Sequence, residues 1–510
     1  MFVVMPLSAT FRRVLFFLVA FSLLVGLGLY LERKTIARRF ADAQFAARKI
    51  NARYEIKSIG PRTQRLEHII IGNPKNPDLV ADWAEIELGI GLSGVAVRSL
   101  RAGGLRLRGQ LVNGKLSLGA VDRLLPAPDG EPFALPDTDI SLVNARMILG
   151  TDYGDIDLRL DGNGNLADGF SGSLLGTSPR ILVGQLELQG LATRLAIRTE
   201  RRRIFVEGPT SANKLQYGRN VLARPSVRIK GSSSESFANV EADWSMDADV
   251  EALMVGAARS LRADGKFVQD GDVRKLAAKL QLDGARPASG EQRRLVAAIP
   301  NAGGTPLEPL LRQLRAALAN LSKGSMAIAP IEFRSSGTQR SLFIGPPTIV
   351  ASSGARLLGN GRGMIIPFGK GQANFDGEFA LSGGGFPVGT ARLALNKGIW
   401  TGTARFRPYR AGGAQLVLTP VDLRVSGSGF GMRTTVLLDG PLGGGRVTGL
   451  NIPISLRPTR DPLAGCVKSG FRAVEIGGLH LAAASLNVCL SGSEARLAPV
   501  RLAGRLGESP

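Results

Sequence analysis

From about residue 54 onward, apolar residues recur at every second position, in runs interrupted by turn residues every ten to fifteen positions. In "DIDLRLDGNGNL" (155–166), Ile156, Leu158 and Leu160 fall on one face of an extended strand, while Asp157, Arg159 and Asp161 fall on the other. "GQLELQGLATRLAIRT" (184–199) and "GTARLALNKGIWTGTARFRP" (389–408) repeat the pattern. A chain written this way makes sheet, and the sheet carries one apolar face for hundreds of residues. Asn113-Gly114 and Asn163-Gly164 supply the positive φ angles of two-residue hairpins, which predicts an antiparallel meander without parallel crossovers.

"GQLVNGK" (109–115) has the G-x-x-x-x-G-K spacing of a phosphate-cradling loop. Such a loop needs Ser or Thr directly after the lysine and a helix beyond it. Leu116 stands there instead, and Leu116-Ser117-Leu118 alternates like a strand, so the stretch reads as a hairpin. The glycine runs "SGGGF" (382–386), "GSGFG" (427–431) and "LGGGR" (442–446) lie between strands and read as turns and bulges. No G-x-S-x-G nucleophile motif occurs.

Two segments break the alternation. Residues 14–31, "VLFFLVAFSLLVGLGLYL", form an apolar run close to the ~20 residues that cross a bilayer core. With no A-x-A site after it, the run is expected to stay as an anchor, residues 1–13 being cytoplasmic. Arg12 and Arg13 before it, against Arg33, Lys34, Arg38 and Arg39 after it, leave the orientation undecided on charge alone. Residues 32–53 continue as a basic juxtamembrane helix. The second segment, "TPLEPLLRQLRAALANLSKG" (305–324), places Leu307, Leu310, Leu311, Leu314, Leu318 and Leu321 at helical spacing, with Thr305 as N-cap, Pro306 at N1, Glu308 at the capping-box position and Gly324 as the stop. Its apolar stripe either packs on a sheet or lines an apolar cavity. The expected organisation is therefore a first β segment over 54–300, an amphipathic helix within 301–324 and a second β segment over 325–510.

The formal charge of +22 points to acidic or anionic partners. Arginines scattered through alternating strands give no compact basic patch, and aromatics make up only 6% of the chain, so nucleic acid is not an expected partner. His68 and His480 are the only histidines, and neither has a Cys, Asp and Glu cluster at ligand spacing, so no metal and no cofactor is expected. Cys466 and Cys489, with 22 residues between them, fit a disulfide between neighbouring strands in an oxidising compartment, or else two buried thiols.

The anchor, followed by "RLEHIIIGNPKNPDLVADWAEIELGI" (65–90) and "VRSLRAGGLRLRGQLVNGKLSLGAVDRLLP" (97–126), resembles the AsmA-like, TamB and YdbH superfamily of bacterial envelope proteins. It is most similar to the YdbH-like, "dicarboxylate transport domain" branch. Ile69 to Ile71, the following Pro77, Leu79, Ala81 and Asp82, the proline-bounded helix and the cysteine pair all fit that branch. The resemblance implies a non-enzymatic protein of the inner membrane, single-pass, with most of the chain periplasmic. It implies a mainly β fold, a long antiparallel sheet bent into an open apolar groove that conducts phospholipids towards the outer membrane. At roughly 25 to 35 strands spaced ~4.8 Å, the sheet would extend about 120 to 170 Å. On that reading Leu105, Leu107, Leu111, Leu116, Leu118, Ile156, Leu158 and Leu160 are groove-lining candidates, with acyl chains in place of a second sheet. Members of the group tend to run on beyond "RLAGRLGESP". An outer-membrane lipoprotein or other envelope partner fits such a protein. The alternative is an envelope assembly factor that adds strands to partners through its sheet edges.

Overall fold

The alternating runs form hydrogen-bonded ladders along the chain. The computed structural model describes residues 38–506, apart from 40–41, 44, 61, 92–93, 114, 125–133, 255, 370, 428, 457–464, 492–493 and 498–503. The anchor run 14–31 lies outside the described residues. Among those described, no helix is long and apolar enough to cross a membrane. The protein is mainly β, with few helices. It divides into two compact units, residues 1–211 with 230–237, and residues 212–229 with 238–510.

In the first unit, Ala52–Ile59, Thr63–Asn73, Asn76–Gly91 and Gly94–Gly103 follow one another as antiparallel neighbours. Asp139–Thr151, Gly154–Asn165, Ser171–Val183, Leu186–Glu200 and Arg203–Ser211 continue in the same manner. The purely antiparallel expectation fails between these two sets. Asp139–Thr151 runs parallel to Gly94–Gly103 (Ser99↔Asp139) and to Arg106–Val112 (Arg106↔Arg146), which makes the arrangement mixed. The chain reaches that position through the short strand Lys115–Ser117 and a 3₁₀ turn, Gly119–Leu124. A crossover without a full helix in its described part leaves no helical period in the sequence to announce it.

The hairpin reading of 109–115 holds, since Val112 pairs with Lys115 around Asn113, whose φ is +51°. Gly109 has its own function in packing. A Cβ there would press on Leu118, Met147 and Leu149.

The second unit is an antiparallel succession from Asn239–Ala252 and Ser260–Asp270 through Val273–Pro287 and Ser325–Ser336 to Arg356–Phe368 and beyond, as far as Gly465–Ile476 and Leu479–Ser491. The expected helix is present as Glu308–Asn320, extended by the 3₁₀ turn Leu321–Lys323 and stopped at Gly324, φ +98°. Its start is built differently from the expected box. Thr305 Oγ1 donates to the Ala302 carbonyl at 2.6 Å, and Glu308 Oε2 accepts from the Ala302 N–H at 3.1 Å, so the pair closes a turn ahead of the helix. A second short helix, Ser289–Ala297, has no buried residue and carried no apolar stripe by which the sequence could reveal it.

The basic helix ends earlier than the expected residue 53. Described helical residues stop at 47, Lys49 turns with φ +55°, and the first strand begins at Ala52. Tyr54 pins this junction: 8% exposed, it donates to Asp42 Oδ1 at 2.7 Å and lies 5.6 Å ring to ring from Phe45. Burial, then the Asp42 carboxylate, push its hydroxyl up to about 12. A folded value above the ordinary 10 favours the protonated native state, so this stabilisation is complete below pH 10 and lost as pH rises towards about 12. Limited proteolysis between pH 9 and 12 is expected to release residues 38–47 in that window in the wild type. In Tyr54→Phe the pH-dependent step should vanish.

Candidate functional site

The described residues bury little beyond a few patches. In the first unit Ile50, Tyr54, Ile69, Ile71, Ala81 and Val121 form a cluster, against which Leu105, Leu107 and Leu118 pack. Three of the eight candidate leucine and isoleucine positions thus already have protein neighbours. Leu111 pairs across the hairpin with Leu116; Leu111 is half-buried and Leu116 is 54% exposed.

Ile156, Leu158 and Leu160 form the centre of a different surface. The register sets Leu158 beside Met147 and over Gly176, where an added Cβ would meet its Cδ2 at 3.2 Å. Leu160 lies between Ala145 and Leu174, and Leu174 lies beside Leu195. Met147, Leu149, Ile156, Leu158, Leu160, Leu174 and Leu195 are all half-buried. Together they make one apolar sheet face that the described residues cover only in part. Covering a leucine completely is worth about 1.5–3 kcal/mol relative to full exposure, so such a face favours an apolar occupant.

In the second unit the helix Glu308–Asn320 packs on the sheet along one stripe. Leu310, 2% exposed, joins Tyr409, Ala414 and Leu438, with Leu307 beside them. Glycines permit this close approach. A Cβ at Gly412 would meet Pro309, and one at Gly440 would meet Ala414 and Pro306. The "SGGGF" turn is part of the dock: Gly383, Gly384 and Gly385 all have positive φ, and the Gly385 carbonyl accepts from Tyr409 Oη at 2.8 Å. Burial pushes the Tyr409 hydroxyl up, although Gln313 opposes the shift.

Beside this dock lies a cavity of about 380 Å³, within the size range of ligand pockets. Leu282, Leu321, Ile349, Leu357, Leu381 and Phe386 line it, and Arg286 and Arg356 border it. The two alternatives for the helix both apply, because Leu310 packs on the sheet while Leu321 faces the cavity. The sequence reading missed the cavity's strand residues. Their only signal was alternation, which every other strand shares.

Both histidines lie at the surface. Each is exposed beside one glutamate, His68 at 3.4 Å from Glu55 and His480 at 3.6 Å from Glu475. Among the described residues no group of three or more His, Cys, Asp or Glu is gathered to hold a metal. The backbone register places Cys466 directly opposite Cys489. Opposed antiparallel residues have Cα atoms about 4.5–5.5 Å apart, a span that a disulfide bridges.

What the fold defines is a class of protein: a predominantly β chain with partly covered apolar strand faces and an apolar cavity. Residues 21–509 match the YdbH-like family, described as intermembrane phospholipid transport protein YdbH, and the chain belongs to that family. No curated protein matches the chain.

Two outcomes are expected from this geometry. Leu310→Ala should cost about 3 kcal/mol, read as a lowered melting temperature, whereas Leu321→Ala at the cavity should cost about 1 kcal/mol. Thiol labelling of unreduced, denatured protein should find no free cysteine if Cys466 and Cys489 are joined, a link worth about 3 kcal/mol by loop closure.

Proposed function

We propose that this chain is an inner-membrane-anchored bridge that conducts phospholipids between membranes, their acyl chains lying on the apolar strand faces. Family membership supports phospholipid as the cargo. The observation that carries the proposed mode of transport is the half-buried face around Leu158, seven apolar side chains in register with too little protein over them. Acyl chains supply dispersion contacts and exclude water without requiring a second sheet. Headgroups stay in solvent, so the sheet needs no polar partner for them on that face. Residues 14–31 would hold the chain in the inner membrane, with residue 54 onward in the periplasm.

The cavity beside the helix is a second apolar station, where Leu321 and Phe386 meet strand residues of the second unit. Conduction of this kind asks no covalent chemistry of the protein. It asks for a continuous low-energy surface with weak, repeated contacts.

Leu158→Glu separates this reading from an ordinary core. Beneath a protein layer, a lone carboxylate would cost several kcal/mol and unfold the first unit. On a lipid-covered face water can enter, so the variant should keep its strand content and protease resistance. Organic extraction of the purified full chain should release less phospholipid than wild type, while Gln110→Glu on the polar face leaves the amount unchanged. A degraded Leu158→Glu protein, with lipid content unaltered in whatever survives, would refute the proposal.

A further inference from the structure

The strand register gathers arginines that are far apart in sequence. Arg106 pairs with Arg146, Arg146 with Arg159, Arg159 with Leu175, and Leu175 with Arg194. Five adjacent strands of the first unit therefore present four arginines in one cross-strand row, all exposed, with Leu175 among them at 36% exposure. This corrects the expectation that the basic residues form no compact patch. The row lies on the face opposite Leu107, Met147 and Leu158 and plays no part in covering lipid.

Like charges directly opposed across strands are destabilising. Opposite charges face each other at other registers, as where Asp243 faces Lys266, Asp264 faces Lys279 and Asp247 faces Arg262 with a 3.0 Å ion pair; single like-charged pairs occur at Lys275↔Arg334 and Glu55↔Glu67, but neither extends into a row. In the row only Arg146 is neutralised, by Asp157, through contacts of 2.9 Å to Oδ1 and 2.5 Å to Oδ2. Arg106, Arg159 and Arg194 form no ion pair among the described residues. A concavity of about 410 Å³ opens between Arg159 and Arg194, with Leu175, Thr177 and the Arg146-paired Asp157 in its lining.

The shape of the charge selects the partner. Asp157 and Asp161 flank Arg159 along its own strand, so the positive charge is a line one residue wide. An anionic bilayer would press on both aspartates as well as the arginines; a linear acidic ligand laid along the row meets only Asp157, whose charge Arg146 already neutralises. The unpaired arginines recur every second strand, about 9.6 Å apart. Residues i and i+7 of an α-helix lie on one face about 10.5 Å apart. We propose that this row is a docking site for an acidic helix of a partner protein, laid across the strands with carboxylates at i, i+7 and i+14 on Arg106, Arg159 and Arg194 and an apolar residue on Leu175.

The test uses the full chain in detergent and a synthetic helical peptide with Glu at i, i+7 and i+14 and Leu at i+11, against a scrambled peptide of equal composition. The ordered peptide should bind roughly tenfold more tightly than the scrambled one. The double substitution Arg159→Gln with Arg194→Gln should remove that preference, while Arg405→Gln in the second unit leaves it intact. Because the substitutions relieve like-charge repulsion, the melting temperature should hold or rise. The proposal is overturned if both peptides bind alike, or if the double variant keeps the preference. It also fails if the variant melts lower, or if the arginines instead serve to bind vesicles of anionic phospholipid that displace the ordered peptide.

Discussion

A pleated strand sends successive side chains to opposite faces, and in this chain one of those faces is apolar over much of its length. Apolar surface must be kept from water, and a sheet usually does this by packing on a second sheet or on helices. Among the described residues, one α-helix packs on the sheet through fully buried side chains, in the second unit, and the largest buried cluster of the first unit gathers Ile50, Ile71 and Val121. The surface around Ile156, Leu158 and Leu160 is left half-covered. The proposed mode of carrying phospholipid rests on what completes that face.

Register aligns the two faces of the sheet separately. On the apolar side, Met147, Leu158 and Gly176 line up, the glycine making room for the leucine. On the polar side, the same registers line up Arg146, Arg159 and Leu175. A slip of one residue would exchange the faces, so the bulge at Asn144, φ +58°, lets the ladder regain its alignment at Ala145↔Leu160.

Strand identity was legible in the sequence because period two is a local property, and so was the helix, whose leucines recur at 3.6. The 109–115 hairpin was legible for the same reason: Asn113 and Leu116 decide it without reference to any other strand. Pairing partners were not legible. Nothing local to Arg106 or Arg146 announces that they will be neighbours, or that Asp139–Thr151 runs parallel to both strands before it. The cavity near Phe386 was hidden likewise, its lining being drawn from strands a hundred residues apart. The Glu308 contact with Ala302 depended on the turn that precedes the helix, which capping patterns do not encode.

The central claim is that phospholipid, and not protein, completes the apolar face. A photo-crosslinking amino acid placed in turn at Ile156, Asp157, Leu158, Arg159 and Leu160 of the full chain in cells reads that face residue by residue. The account predicts lipid adducts at Ile156, Leu158 and Leu160 and none at Asp157 or Arg159, a period of two matching the pleat. Protein adducts at the three apolar positions, or lipid adducts without alternation, would contradict it.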